Sequence, residues 1–427
     1  MDNQNASPPD PSFGEALRVW AKIGVTSFGG PAGQIALMHR ELVEERRWLS
    51  EKEYLRALNF CMLLPGPEAM QLATYAGWKL HGVKGGLAAG LLFVLPGALI
   101  VLALTMLYAA FGKLPLVEAL FYGVKAAVLA IVIEALLRVA RRALKTGSDW
   151  VIAALAFVAL FFFALPFPLV IVAAALVGLW RAGGAGEAHH GALPSWRALA
   201  GTVALWGAIW LVPLAALALL LGPHHVLTEV GVFFSTLALV TFGGAYAVLA
   251  YMAQAAVETQ GWLSATEMMD GLALAETTPG PLILVTQFVG YFAGLREMGS
   301  VWGGLAAAAV TLWMTFAPCF LWIFAGAPYV DALGKRPRLS GGLAAITAAV
   351  VGVILNLSLW FGLHVLFGTV ERLPGWFQPW VPAWNNLDVF ALALSGLAAL
   401  ALLRFHLGIV PVLLLSAALG ATWKLLV

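Results

Sequence analysis

Five stretches of this sequence run long and largely apolar: Gly85–Phe111, Leu116–Arg138, Leu199–Leu221, Val301–Ala325 and Gly341–Leu366. Each exceeds the roughly 20 residues that carry a helix across a bilayer. Of the 427 residues, 61% are hydrophobic and 11% charged, where a soluble protein would carry about 25% charged residues. Lipid offers backbone groups no partners, so chains that span it do so as helices or closed barrels. Runs of this length predict an all-α polytopic membrane protein. The net charge of +2 comes from basic residues scattered in short loops, which gives no basis for nucleic-acid binding. The opening "MDNQNASPPDPS" (1–12) reads as a polar, Pro-rich disordered tail and not as a cleavable signal peptide. Cys61 and Cys319 fall in apolar segments with no neighbouring His or Cys. They read as packing residues, and no disulfide, metal site or cofactor is expected.

Two interruptions stand out in these apolar surroundings: "LLPGPE" (Leu63–Glu68) and "TTPGPL" (Thr277–Leu282). They belong to a repeat. At an offset of 214, Phe28–Pro67 lies on Phe242–Pro281 without a gap, with 15 of 40 positions identical. FGG, E…WLS..E and PGP all fall in register, which biased composition alone would not produce. The chain therefore reads as two related halves, 13–181 and 226–427. Between them, 182–225 holds a Gly/Ala/His linker and one unpaired apolar run.

The halves differ in charge. Residues 39–57 hold Arg40, Arg46, Arg47, Lys52 and Arg56, whereas the matching 253–271 hold no Lys or Arg. Arg138, Arg141, Arg142 and Lys145 likewise follow a span in the first half and have no basic counterparts in the second. Cytoplasmic loops are enriched in Lys and Arg. The halves are thus expected to be inverted-topology repeats, flipped by the unpaired helix, as in many secondary transporters. The same rule places the N-terminus in the cytoplasm. Threading the chain on this basis makes Ala57–Leu80 enter and leave on one side, as a re-entrant hairpin with Pro-Gly-Pro at its tip. "TSFGGPAGQ" (Thr26–Gln34) reads as the tip of a second hairpin, with "TFGGAYA" and "TTPGP" as the matching tips of the second half.

Broken backbone at membrane depth survives where it is buried in protein or lines a polar cavity. Proline is compatible with the start of a helix, so Pro67 and Pro281 read as helix starts. Helix N-termini carry unpaired N–H groups and attract anions, and glycine lets a ligand approach the backbone closely. Four such tips favour a small oxyanion over a cation or a bulky hydrophobe. The expected substrate site comprises Gly29, Gly30, Pro31 and Gln34; Pro65, Gly66, Pro67 and Gln71; Gly243 and Gly244; and Thr278, Pro279, Gly280 and Pro281. Other polar residues beside the tips are Asn59, Thr74, Thr277, Thr286 and Gln287. Glu68 reads either as an acidic residue favouring a helix N-terminus or as a proton carrier. Glu276 is the second proton-coupling candidate, since intramembrane carboxylates commonly handle protons. Lys125, inside the Leu116–Arg138 span, has two readings. It neutralises part of a dianion, or it snorkels or pairs with Glu118 or Glu134. The histidines show no ligand spacing, and the tryptophans of "GWFQPWVPAW" (Gly375–Trp384) suit an interfacial belt.

On FGGP (Phe28–Pro31), WLS..E (Trp48–Glu53), LLPGP (Leu63–Pro67), the Gly77–Gly86 region, and the second copies FGG (Phe242–Gly244), WLS..E (Trp262–Glu267) and TTPGP (Thr277–Pro281), the sequence resembles the chromate ion transporter family in its long two-domain form. The resemblance covers nearly all of the chain except the tail and linker. It departs at Ala245, where FGGP would have proline. It implies export of chromate, with sulfate as a related oxyanion, across the bacterial inner membrane and resistance to chromate as the outcome. The expected mechanism is alternating access at one central site, with a coupled proton. A passive anion channel on the same hairpins is the alternative, and a homodimer is one option for assembly. An intramembrane enzyme is disfavoured, because the spans hold no Ser/His, HExxH or paired-aspartate pattern.

The inverted arrangement has a direct test. With cysteines introduced at Ser50 and Ser264, an impermeant thiol reagent applied to intact cells should label position 264 alone. Labelling at both, or at 50 alone, would overturn the inverted repeat.

Overall fold

In a computed structural model, residues 11–28, 30–181, 195–242, 245–330 and 337–426 are described. Residues 1–10 of the tail, most of the Gly/Ala/His linker, Gly29, Gly243 and Gly244 lie outside them. The chain is helical: α1 (Phe13–Thr26), α2 (Gly30–His39), α3 (Glu51–Cys61), α4 (Glu68–Phe111), α5 (Pro115–Ala143), α6 (Gly147–Phe161), α7 (Phe167–Arg181), α8 (Trp196–Leu221), α9 (Val226–Val240), α10 (Ala245–Gln254), α11 (Ala265–Thr277), α12 (Val285–Glu297), α13 (Val301–Gly326), α14 (Pro337–Leu366), α15 (Val389–Leu403) and α16 (Ile409–Leu426). Among the described residues, six helices are long and apolar enough to cross a membrane. Large apolar side chains such as Leu155, Leu219 and Leu414 stand exposed along the helices, a surface that suits lipid and not water. The chain is an all-α, multi-pass membrane protein.

Local chemistry sets the breaks. The WLS..E motif is a capping box at the start of α3: the Ser50 N–H donates to Glu53 Oε2 at 3.0 Å and the Glu53 N–H returns to Ser50 Oγ at 3.3 Å. Ser264 and Glu267 make the same exchange at α11, at 2.9 and 3.2 Å. Each pair satisfies N–H groups that a helix start leaves open. A π-helical turn follows α2 at Arg40–Glu45 and another follows α10 at Ala255–Thr259. Helix α4 bends at His81 and Gly82, where Gly82 takes φ 61°. This breaks it where the sequence placed the end of the first hairpin. Helix α3 has 11 residues, roughly 16 Å at 1.5 Å per residue, short of a ~30 Å apolar core. A small antiparallel β-hairpin, β1 (Val370–Arg372) with β2 (Trp380–Pro382), was not anticipated. It occupies the tryptophan-rich stretch, and the Arg372 guanidinium lies 5.1 Å from the Trp380 ring centre.

The helices pack as two compact units that cut across the sequence halves. The first unit takes α1–α3, α4 as far as Leu102, α8, α9, α12 and α13. The second takes the end of α4 from Ala103, α5–α7, nearly all of α10, α11, α14, the β-hairpin, α15 and α16. In the first unit, α13 is the buried centre, packed by α8, α9 and α12. In the second, α14 lies against α5, α6 and α7, while α5 also meets α15 and α16.

Small residues allow this packing where apolar burial gives little drive between helices in lipid. A β-carbon on Gly77 would strike the Gly85 carbonyl oxygen and the Ala89 side chain. The second half repeats the arrangement, with Gly294 against the Gly303 carbonyl and Ala307. Gly77→Ala and Gly294→Ala should therefore each destabilise the protein by about 1–3 kcal/mol through overpacking. Gly201 in α8 has open space around it, so Gly201→Ala should be neutral or stabilise by about 0.5–1 kcal/mol. Thermal unfolding in detergent reads the difference, and equal midpoints for all three variants would contradict the packing.

Candidate functional site

Between α3 and α4 the chain turns through Pro65-Gly66-Pro67, and between α11 and α12 through Pro279-Gly280-Pro281. Gly66 has φ +123° and Gly280 φ +93°, the left-handed region that glycine enters without penalty. Both turns lie in the first unit and are buried except for the half-buried Pro65. Buried backbone N–H groups need acceptors, and these find theirs crosswise. The Gly66 N–H donates to the carbonyl of Thr241, just after α9, at 2.8 Å; the Gly280 N–H donates to the carbonyl of Ser27, just after α1, at 2.9 Å. Each Pro-Gly-Pro turn is thus tied to the backbone that leads into the FGG motif of the other half.

Two glutamines lock this crossing. The Gln34 amide, 1% exposed, donates to the Gly280 carbonyl at 2.6 Å and, more weakly, to the Ser27 carbonyl at 3.4 Å. Gln71, fully buried, donates to the Pro65 carbonyl at 2.7 Å. The expectation that the Gly66 and Gly280 N–H groups face an anion is corrected here, because both are already committed to carbonyl oxygens. What a ligand could use instead is the first turn of α2 or α4, whose N–H groups have no acceptor within the helix, together with buried side chains.

Those side chains form a polar set inside an apolar unit. Ser27, Gln34, Gln71, Thr74, Thr241, Thr278, Thr286, Gln287, Thr311 and Thr315 are all buried. Of these, Ser27 Oγ, Gln71 Oε1, Gln287 Oε1, Thr311 Oγ1 and Thr315 Oγ1 are buried without a hydrogen-bond partner among the described residues. Such orphans are costly unless a water or ligand serves them. Sequence reading found Gln34, Gln71, Thr278 and Gln287 but missed Thr311 and Thr315. The signal was present, as two threonines one turn apart in the otherwise apolar α13. Cys319, one turn further on, fills space against the first turn: a β-carbon on Gly66 would lie 2.9 Å from its sulfur.

The remaining expected residues disperse. Gly30, Pro31 and the two Pro-Gly-Pro turns share the first unit, with Glu68 half-buried at the start of α4. Glu276 is half-buried at the end of α11, in the second unit. Lys125 is also in the second unit. Of the partners weighed for it, neither glutamate is the one found: its Nζ lies 3.5 Å from Asp270 Oδ1, while Glu134 pairs with Arg138. Beyond the tips, the first unit holds a polar cavity of about 120 Å³ lined by Glu53, Arg56, Tyr75, Lys79, Ala327, Pro328 and Val330. The Lys79 ammonium, 2.7 Å from Glu53, is the main reason that carboxyl is pulled down to about 2. Glu53 is therefore ionised at physiological pH, and with Arg56 and Lys79 the cavity walls carry net positive charge.

The family described as "Chromate transporter" matches residues 14–179 and 228–421. The chain is 34% identical to the chromate transport protein of Pseudomonas aeruginosa, over 97% of this chain and 93% of that one. It is 31% identical to the probable chromate transport protein of Synechococcus elongatus, over 86% and 91%, and 31% identical to the chromate transport protein of Cupriavidus metallidurans, over 81% and 82%. No solved structure matches.

The geometry of the turns makes a prediction that separates structure from binding. A β-carbon on Gly66 would lie 2.6 Å from Gln71 Nε2 and one on Gly280 3.0 Å from Leu284 Cδ1, both on left-handed backbone. Gly66→Ala and Gly280→Ala should therefore lower the thermal midpoint, Gly66→Ala the more. Gln34→Leu, which removes a buried donor, should cost about 1–3 kcal/mol. A Gly66→Ala protein with wild-type stability would contradict the crossed turns.

Proposed function

The chain belongs to the chromate transporter family, and from that premise we propose that it is a secondary transporter exporting a small dianionic oxyanion, chromate foremost and sulfate as its relative. The observation that carries this reading is the crossed pair of turns, Gly66 to Thr241 and Gly280 to Ser27, set among buried polar side chains without partners. Helix starts at such turns supply N–H groups and partial positive charge. Ser27, Gln71, Gln287, Thr311 and Thr315 supply neutral polar atoms able to replace part of an anion's hydration. The site is neutral and hydrogen-bonding, which suits an ion that must be released as well as bound.

The halves act as inverted repeats, with the N-terminus cytoplasmic and the protein in a bacterial inner membrane. Alternating access exposes the site to each side in turn. A membrane potential negative inside favours the export of a dianion by about 4.6 kcal/mol per 100 mV. The relatives named as chromate transport proteins support the substrate class.

Purified protein in proteoliposomes tests this reading, with chromate, sulfate and molybdate in competition at set pH gradients. Saturable chromate flux and counter-flow are expected. Flux linear in concentration and without counter-flow would replace the carrier with a channel. The absence of flux for all three oxyanions would remove the substrate.

A further inference from the structure

The second unit buries a group of charges that the crossed turns do not use. Asp270 on α11 is 3% exposed. Tyr108, near the end of α4, donates its hydroxyl to Asp270 Oδ2 at 2.6 Å. Lys125, midway along α5, stands 3.5 Å from Asp270 Oδ1, its own side chain 16% exposed. That separation is too long for a good hydrogen bond, and Oδ1 accepts none among the described residues. One carboxylate oxygen is therefore hydrogen-bonded, while the other is held only by charge.

An ion pair in such a setting is a poor stabiliser. Removing two charges from water costs more than their attraction returns unless hydrogen bonds complete the geometry, and here they do not. Ionisable residues within membrane segments more often serve function than packing. The repeat sharpens the point. Asp270 is the counterpart of Arg56 at the offset of 214, and Arg56 is exposed beside a cavity. This helix position thus tolerates either sign, so the architecture of the repeat does not demand a carboxylate there.

We propose that Asp270 is a proton-binding site of the transporter, and that filling it opens Lys125 to an oxyanion, as an anion position additional to the neutral one in the first unit. This rests on the oxyanion-transport reading above and assigns it a proton position other than the half-buried Glu68 and Glu276. The chemistry is a simple protonation. A proton adds to Oδ1 and the carboxylate becomes the neutral acid. Oδ2, now the carbonyl oxygen, still accepts from Tyr108, so the hydrogen bond survives. What is lost is the counter-charge of Lys125, which keeps its proton and its charge. A buried, uncompensated ammonium is costly, and an entering oxyanion relieves it. Proton and anion binding are then favourably linked, and each must strengthen the other equally.

The surrounding groups are few. Helix α11 packs against α5 and α14. From α5 come Lys125 and, acting on Tyr108, Glu118. From α4 comes Tyr108. Helix α14 carries His364 near its end, where its Nδ1 is bonded to the Trp360 carbonyl at 2.8 Å and its ring meets Trp360 and Trp380. On α11 itself, Glu267 lies one turn back and holds the Ser264 cap. Lys125 is the cation that pairs with Asp270.

Two measurements on the full-length purified protein test the proposal. In infrared difference spectra across a pH titration, a carboxylic-acid carbonyl band should appear on acidification in the wild type and be missing in Asp270→Asn. In calorimetric titrations with chromate, run in buffers of differing ionisation enthalpy, wild type should take up a proton on binding. Its affinity should fall by up to about tenfold per pH unit as pH rises through the titration. Asp270→Asn should take up no proton and show a flat profile at the tight level, and Lys125→Met should lose at least tenfold in affinity at every pH. Asp270→Asn with wild-type proton uptake and pH slope would overturn the proposal, as would an unchanged carboxyl band. Should Asp270→Asn fail to insert, Tyr108→Phe carries the test: a displaced band midpoint supports the geometry and an unmoved one refutes it. If wild type binds no oxyanion, the transport reading falls, while the infrared arm still decides whether Asp270 binds the proton.

Discussion

A buried backbone N–H without an acceptor is among the costliest defects a fold can carry, and this fold depends on avoiding it at two broken helices. Pro-Gly-Pro removes two N–H groups at each break and leaves one, that of Gly66 or Gly280. Neither donor finds an acceptor within its own hairpin. Each finds it on the opposite half, at Thr241 or Ser27, through bonds of 2.8 and 2.9 Å. The glutamines then fix the carbonyl side, Gln34 on Gly280 and Gln71 on Pro65. Helices α1, α3, α4, α9 and α12 all meet at this requirement, and the first unit is organised around it.

This explains why the compact units do not follow the sequence halves. A half that packed only on itself would leave its turn unsatisfied, so α1–α3 and most of α4 from the first half share one unit with α9, α12 and α13 from the second. Tight glycine contacts sustain the arrangement, Gly77 on Gly85 and Gly294 on Gly303. In lipid, where apolar side chains gain little by leaving their surroundings, such backbone approach and hydrogen bonding carry more of the specificity. The order of elements also recurs. A helix, a short helix, a π turn, a capped helix and a Pro-Gly-Pro turn occur at 13–67 and again at 226–281.

Much of this was legible in the sequence, because its signals are local. Apolar runs gave the helices, proline and glycine gave the breaks, and Ser-x-x-Glu gave the caps of α3 and α11. The identities at an offset of 214 marked which elements correspond. What was not legible depends on pairing over distance. Nothing local says that Gly66 donates to Thr241, so the same glycine that marked the turn suggested a free N–H where none remains. Lys125 was recognisable as anomalous, but its neighbours on the same helix, Glu118 and Glu134, drew attention from Asp270, 145 positions away in the chain. Asp270 itself sits in a stretch noted only for lacking Lys and Arg. The β-hairpin at 370–382 escaped because its tryptophans and prolines suit an interface as well as a strand.

The crossed turns also impose an order in time. Serine 27 is made long before Gly280, so the second turn emerges to an acceptor already in place. The first turn has no such provision: its acceptor, Thr241, lies 175 residues further along the chain. At synthesis rates of roughly 5–20 residues per second, the Gly66 N–H must wait about 10–35 seconds for its partner. During that interval water, lipid headgroups or the insertion machinery must serve the open donor, and the first half cannot close until the first helix of the second half has been made. A ribosome that stalls between these points leaves a nascent chain with a broken helix and no means of mending it, a natural signal for quality control in the membrane.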